Sequence, residues 1–124
     1  MRSRPTILVV EDEELVRELT VELLLDFGYE VLAAANGREA MVLIADAGRR
    51  IDLLFTDIVM PGELDGFALA REARRHRPNL PILYTSGYTN RGAGRDSDCL
   101  GAMVPKPYRP EQLKAEIRRA LERM

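Results

Sequence analysis

Four places in this chain carry side chains that suit phosphoryl chemistry. They are the acidic pair Glu11-Asp12, then Asp57, Ser86 and Lys106. Each follows a short run that reads as a β-strand: Ile7–Val10, Leu53–Thr56, Ile82–Thr85 and Met103–Pro105. In a parallel α/β sheet the strand C-termini share one edge, and ligands bind there. Three carboxylates on that edge repel one another unless a hard, oxygen-liganded cation such as Mg²⁺ lies between them. Asp57 is the candidate nucleophile, because a carboxylate can form an acyl-phosphate. Lys106 would place a point charge on a phosphate oxygen, and the Ser86 hydroxyl could donate to another. The set reads as a metal-assisted site for a phosphoryl group.

The elements that must position these residues alternate. Thr6–Val10 is a continuous apolar run, as in a strand buried on both faces. Glu13–Phe27 is a helix pattern whose stripe holds Leu15, Val16, Leu19, Leu23, Leu24 and Phe27, with Gly28 at the C′ position. Glu30–Ala34 is the second strand. Asn36 with Glu39 makes a capping box for a helix that ends at Gly48. Asp52–Thr56, Leu80–Thr85 and Met103–Pro105 are the remaining strands; Leu64–Arg77 and Pro110–Arg123 are helices, the latter opened by a proline at N1. The pattern predicts a doubly wound, flavodoxin-like α/β fold. Its five-stranded parallel sheet has order 2-1-3-4-5 and helices on both faces. Pro105 suits an edge strand. The Gly-rich stretch Gly87–Gly101 predicts a fourth helix that is short or irregular.

With 124 residues the chain is expected to be one domain, residues 1–124. A net charge of −2 gives no broad electrostatic case for nucleic acid or an anionic membrane. There is no apolar run near the length of a transmembrane span and no signal-peptide pattern, and the single cysteine, Cys99, fits a reducing cytoplasm. A free-standing cytoplasmic domain is the simplest expectation. His76 sits at a helix C-terminus among Arg74, Arg75 and Arg77, a place that favours solvated positive charge rather than phosphoryl donation. Acidic residues in such loops also serve as N-caps, and Asp12 is placed to cap the helix from Glu13.

Over almost its whole length the chain resembles the receiver domains of two-component response regulators. The motifs are Glu11-Asp12, Asp57 through Gly62 with Asp65-Gly66, Ser86-Gly87 and Lys106-Pro107-Tyr108. The resemblance implies that Asp57 accepts a phosphoryl group from a histidine kinase or histidine phosphotransfer protein. It implies Asp12, Asp57 and the Val59 carbonyl as Mg²⁺ ligands, with Glu11 acting mostly through water. It also implies Ser86 as the switch hydroxyl, Lys106 as the phosphoryl-binding lysine, and a cis Lys106–Pro107 bond. The domain would assist its own phosphorylation and dephosphorylation without being an enzyme on a separate substrate. It would signal to a downstream protein target as a monomer or weak homodimer. Tyr88 and Val59 flank the presumed phosphorylation site and would shield an acyl-phosphate from water.

The sequence departs from the family pattern in places. Glu11 stands where Asp is commoner, the loop Pro61–Gly66 is one residue longer, and Met103 replaces the frequent switch aromatic. Met103 and the weak fourth helix together predict a modified route of signalling. A phosphatase with an aspartate nucleophile would want a second acid at position 59, which is Val59. A nucleotide or flavin binder would want a Gly-rich loop where Glu11–Glu14 stands. A phosphorylation-independent module of receiver shape and a receiver fragment of a larger hybrid kinase stay open as alternatives.

Overall fold

The structure, a computed structural model, describes residues 4–60, 62, 64–86 and 100–122. Its strands are β1 (Thr6–Val10), β2 (Glu30–Ala34), β3 (Leu53–Asp57), β4 (Ile82–Ser86) and β5 (Gly101–Pro105). Its helices are α1 (Glu14–Asp26), α2 (Gly37–Ile44), α3 (Gly66–His76) and α4 (Pro110–Glu122). All strand pairs are parallel and the sheet order is β2-β1-β3-β4-β5, the predicted doubly wound topology with β5 at an edge.

Alternation along each strand builds one core on each face. Leu8, Val10, Leu54, Ile82 and Tyr84 point to the side covered by α2 and α3, where they meet Ala40, Ile44, Phe67 and Ala70. Ile7, Val9, Leu53, Phe55, Leu83 and Val104 point to the other side and meet Leu24 of α1 and Leu113 and Ile117 of α4. The register sets Asp57 opposite Thr85 and Ser86 opposite Pro105, which aligns the strand ends that carry the chemistry.

Local expectations needed correction. The α1 stripe is wider than the face the sheet takes: Thr20 and Leu24 are fully buried, while Leu15 and Leu19 are 75 % and 63 % exposed. The Thr20 hydroxyl tolerates burial because it donates to the Val16 carbonyl at 2.8 Å. Half of the Asn36–Glu39 box forms as predicted: Asn36 Oδ1 accepts from the Glu39 amide at 2.8 Å, whereas the Glu39 carboxylate accepts from the amide of Ala35, one residue before the N-cap, also at 2.8 Å. Yet α2 ends at Ile44 with Ala45 as C-cap, not at Gly48. The guanidinium of Arg77 supplies the missing donors there, giving hydrogen bonds to the Ile44, Asp46 and Arg49 carbonyls at 2.8–3.0 Å. Arg77 is thus a structural staple rather than part of a solvated basic face; His76 beside it is exposed.

Helix α3 starts at Gly66 rather than Leu64, because the Asp65 carboxylate caps it by accepting from the Ala68 amide at 2.8 Å. Strand β5 starts two residues before the expected Met103. A Cβ at Gly101 would overlap the Ile82 carbonyl oxygen, so only glycine lets the chains meet there. Residues 87–99, with Tyr88, Cys99 and the expected fourth helix, lie outside the described residues. Leu100 beyond them packs on the core and donates its N–H to the Tyr84 hydroxyl at 3.1 Å.

Candidate functional site

Glu11 directly follows β1, and its amide extends the ladder by donating to the Ala34 carbonyl at 3.1 Å. Its side chain is 1 % exposed. Glu11 Oε2 accepts from the Glu13 amide at 3.0 Å, so Glu11, not Asp12, meets an orphan donor at the start of α1. Asp12 is exposed and reaches the site from the rim. Arg17 of α1 fixes the Glu11 peptide from outside, donating to its carbonyl at 2.8 Å.

Asp57 is the last residue of β3 and is 5 % exposed. Its Oδ1 accepts from the Ile58 amide and its Oδ2 from Lys106, at 2.8 and 2.9 Å. The backbone after it is held by α3: the Gly66 amide donates to the Ile58 carbonyl at 2.7 Å. A Cβ at Gly66 would overlap the Asp57 carbonyl oxygen, so this close approach requires glycine. Gly66 and Arg17 are positioning residues whose roles the sequence reading did not assign. The Asp65-Gly66 pair carried a signal; Arg17 carried none.

Lys106 follows β5 and precedes a cis peptide bond to Pro107. Its ammonium bridges Glu11 Oε1 at 2.6 Å and Asp57 Oδ2 at 2.9 Å. Burial alone would lower its pKa. Hydrogen bonds and the charge of both carboxylates outweigh burial and hold it above the ordinary lysine range. For Glu11, burial is the larger effect and pushes the carboxyl up, although Lys106 and the Glu13 amide pull it down. Tyr108 continues this loop; its ring packs on Phe55 at 5.7 Å, and burial pushes its phenol up.

Carboxylate oxygens of Glu11, Asp12 and Asp57 lie within 4.8 Å of one another, the one such acidic group found among the described residues. Three carboxylates against one ammonium leave a formal charge of −2, and every donor is a hard oxygen. The residues therefore fit a divalent cation of the Mg²⁺ type. Ser86, at the end of β4, is 4 % exposed, and its hydroxyl is 3.5 Å from Met103 Sδ. Val59, two residues after Asp57, is 53 % exposed. The structure thus brings Glu11, Asp12, Asp57 and Lys106 into one cluster, with Ser86 on the same sheet edge.

Comparison with known proteins agrees with this geometry. The chain is 37 % identical over 120 residues to the sensor kinase CckA of Brucella abortus, a match covering 95 % of this chain and 13 % of that protein. It is 39 % identical over 120 residues to the response regulator MprA of Mycolicibacterium vanbaalenii, covering 94 % and 50 % of the two. The chain therefore spans half or less of these curated relatives. Among solved structures, the receiver domain of NtrX from Brucella abortus superposes with a TM-score of 0.84 at 33 % identity, covering 95 % of this chain and 99 % of that one. The sequence model of the response regulator receiver domain matches residues 7–118. The chain belongs to the response regulator receiver domain family of two-component systems.

Proposed function

We propose that this domain is a phosphoacceptor that takes a phosphoryl group onto Asp57 from a phosphohistidine of a kinase or phosphotransfer protein. The observation that carries this reading is the state of the Asp57 carboxylate. It is buried, fixed through one oxygen by the Ile58 amide, and paired through the other with Lys106 beside two more acids. An Asp57 oxygen attacks phosphorus, the P–N bond to the donor imidazole breaks, and the imidazole keeps the electron pair and takes up a proton.

Glu11, Asp12, Asp57 and the Val59 carbonyl would hold Mg²⁺, which when bound offsets charge on the phosphoryl oxygens. Lys106 follows the negative charge from the carboxylate to a phosphoryl oxygen, and Ser86 donates to another. The domain acts on its own side chain rather than turning over a separate substrate.

The donor must approach from the open side. There a groove lined by the exposed Leu19 with Val16, Leu23, Pro107 and Tyr108 flanks Lys106. We assign this apolar surface to the donor protein. No helix among the described residues is long and apolar enough to cross a membrane. The reading places the domain in the cytoplasm, where phosphohistidine is generated from ATP. Output passes through protein contacts to a downstream target. Incubation with a small acyl phosphate and Mg²⁺, followed by intact mass, tests the reading. One added phosphoryl group, absent in Asp57→Asn, supports it. No addition from either a small donor or a kinase leaves a phosphorylation-independent module.

A further inference from the structure

Met103 stands on β5 opposite Tyr84, two residues before Ser86 on β4. Ser86 and Met103 are therefore diagonal neighbours on one face of the sheet. Ser86 Oγ donates to Met103 Sδ at 3.5 Å. The hydroxyl has a single proton, so while the sulfur holds it, no oxygen at Asp57 receives it. The two acceptors are unequal. A thioether is a weak acceptor, whereas an anionic phosphoryl oxygen forms a charge-assisted hydrogen bond. The surroundings are unequal too. Ser86 is buried at 4 % exposure, but Met103 is 39 % exposed and carries an unbranched, flexible side chain.

We propose that Met103 is a positioning residue that holds the Ser86 hydroxyl in its resting place and yields it to the phosphoryl group. Phosphorylation is then registered as the release of an exposed thioether on the edge strand. This rests on the reading of Asp57 as phosphoacceptor. It assigns a route for the signal in a chain whose position 103 has no aromatic ring to turn.

The test uses the whole chain labelled with [¹³C]methyl methionine, with Met103 assigned through Met103→Leu and Met60 as internal reference. Ser86→Ala in the unphosphorylated protein should move the Met103 methyl resonance, and phosphorylation of the wild type by acetyl phosphate with Mg²⁺ should move it the same way. Met103→Leu keeps the bulk and removes the acceptor. It should raise the phosphorylation rate by about twofold, the low end of what one net hydrogen bond is worth because the thioether is a weak acceptor, and should add nothing when Ser86 is already Ala. A Met103 methyl that ignores Ser86→Ala, or a Leu effect of equal size with and without Ser86, overturns the proposal. Wild-type protein that gains no phosphoryl group overturns the phosphoacceptor reading and the release step with it. The Ser86→Ala shift then still decides the sulfur contact by itself.

Discussion

Lys106 Nζ lies 2.6 Å from Glu11 Oε1, a contact between residues 95 positions apart that ties the end of the last strand to the end of the first. The same ammonium holds Asp57, so one cation neutralises part of a cluster that would otherwise repel itself. Its removal has opposite consequences for metal binding and for chemistry. Lys106→Met leaves three carboxylates without an internal cation. Mg²⁺ should bind at least about fivefold more tightly, since a unit charge at close range counts for ~1 kcal/mol even in water. Phosphorylation should nevertheless slow, because the phosphoryl oxygens lose their ammonium. Calorimetric Mg²⁺ titration and a phosphorylation time course check the two halves separately. Weaker Mg²⁺ binding would show that Lys106 organises the acids more than it competes with the metal.

Glu11 makes stability depend on pH in a definite direction. Burial raises its folded pKa above the ordinary 4.5, so between those two values the folded state holds more protons than the unfolded chain. The contribution of this group to stability is therefore greatest below 4.5 and falls as pH rises through the folded pKa. Glu11→Gln removes the titration. With chelator present, urea unfolding of the wild type should lose stability relative to the variant as pH rises through that window. Added Mg²⁺ should recover the loss in the wild type. Parallel wild-type and variant curves would remove Glu11 from this role.

Gly66 has no room for a methyl group. The backbone of Asp57 and Ile58 occupies the place of its Cβ, and backbone cannot rotate aside as a side chain can. Gly66→Ala should cost about 3 kcal/mol in chemical unfolding and slow phosphorylation by displacing the Asp57 peptide. Wild-type stability in this variant would mean that α3 can draw back without cost.

Arg77 should behave as a structural residue. Its guanidinium serves three carbonyls at and beyond the end of α2. Arg77→Ala should cost about 2 kcal/mol, and Lys should restore little of it, because one ammonium does not match a planar fork. Thermal unfolding of the two variants decides this, and phosphorylation at a temperature where both are folded should be unchanged.

The fold was largely legible because Ile7–Val10 and Leu53–Thr56 lie in strands buried on both faces, and such strands read as unbroken apolar runs. The candidate site was legible because its residues end those runs. What was hidden depends on partners distant in sequence. Nothing local shows that the sheet takes the Thr20–Leu24 side of α1 and leaves Leu15 and Leu19 outside. Arg77 looks like one member of a basic cluster until its acceptors, some thirty residues earlier, are folded beneath it. The contact between Ser86 and Met103 exists only in the β4–β5 register.

The most direct measurement is the identity of the modified residue. Protein treated with acetyl phosphate and Mg²⁺ can be reduced with borohydride, which converts an aspartyl phosphate to homoserine, and then sequenced by mass spectrometry. Homoserine at position 57, lost when Mg²⁺ is chelated, is the predicted result. Reduction at Asp12, no reduced residue at all, or label that persists in Asp57→Asn would contradict the assignment of Asp57 as the phosphoacceptor.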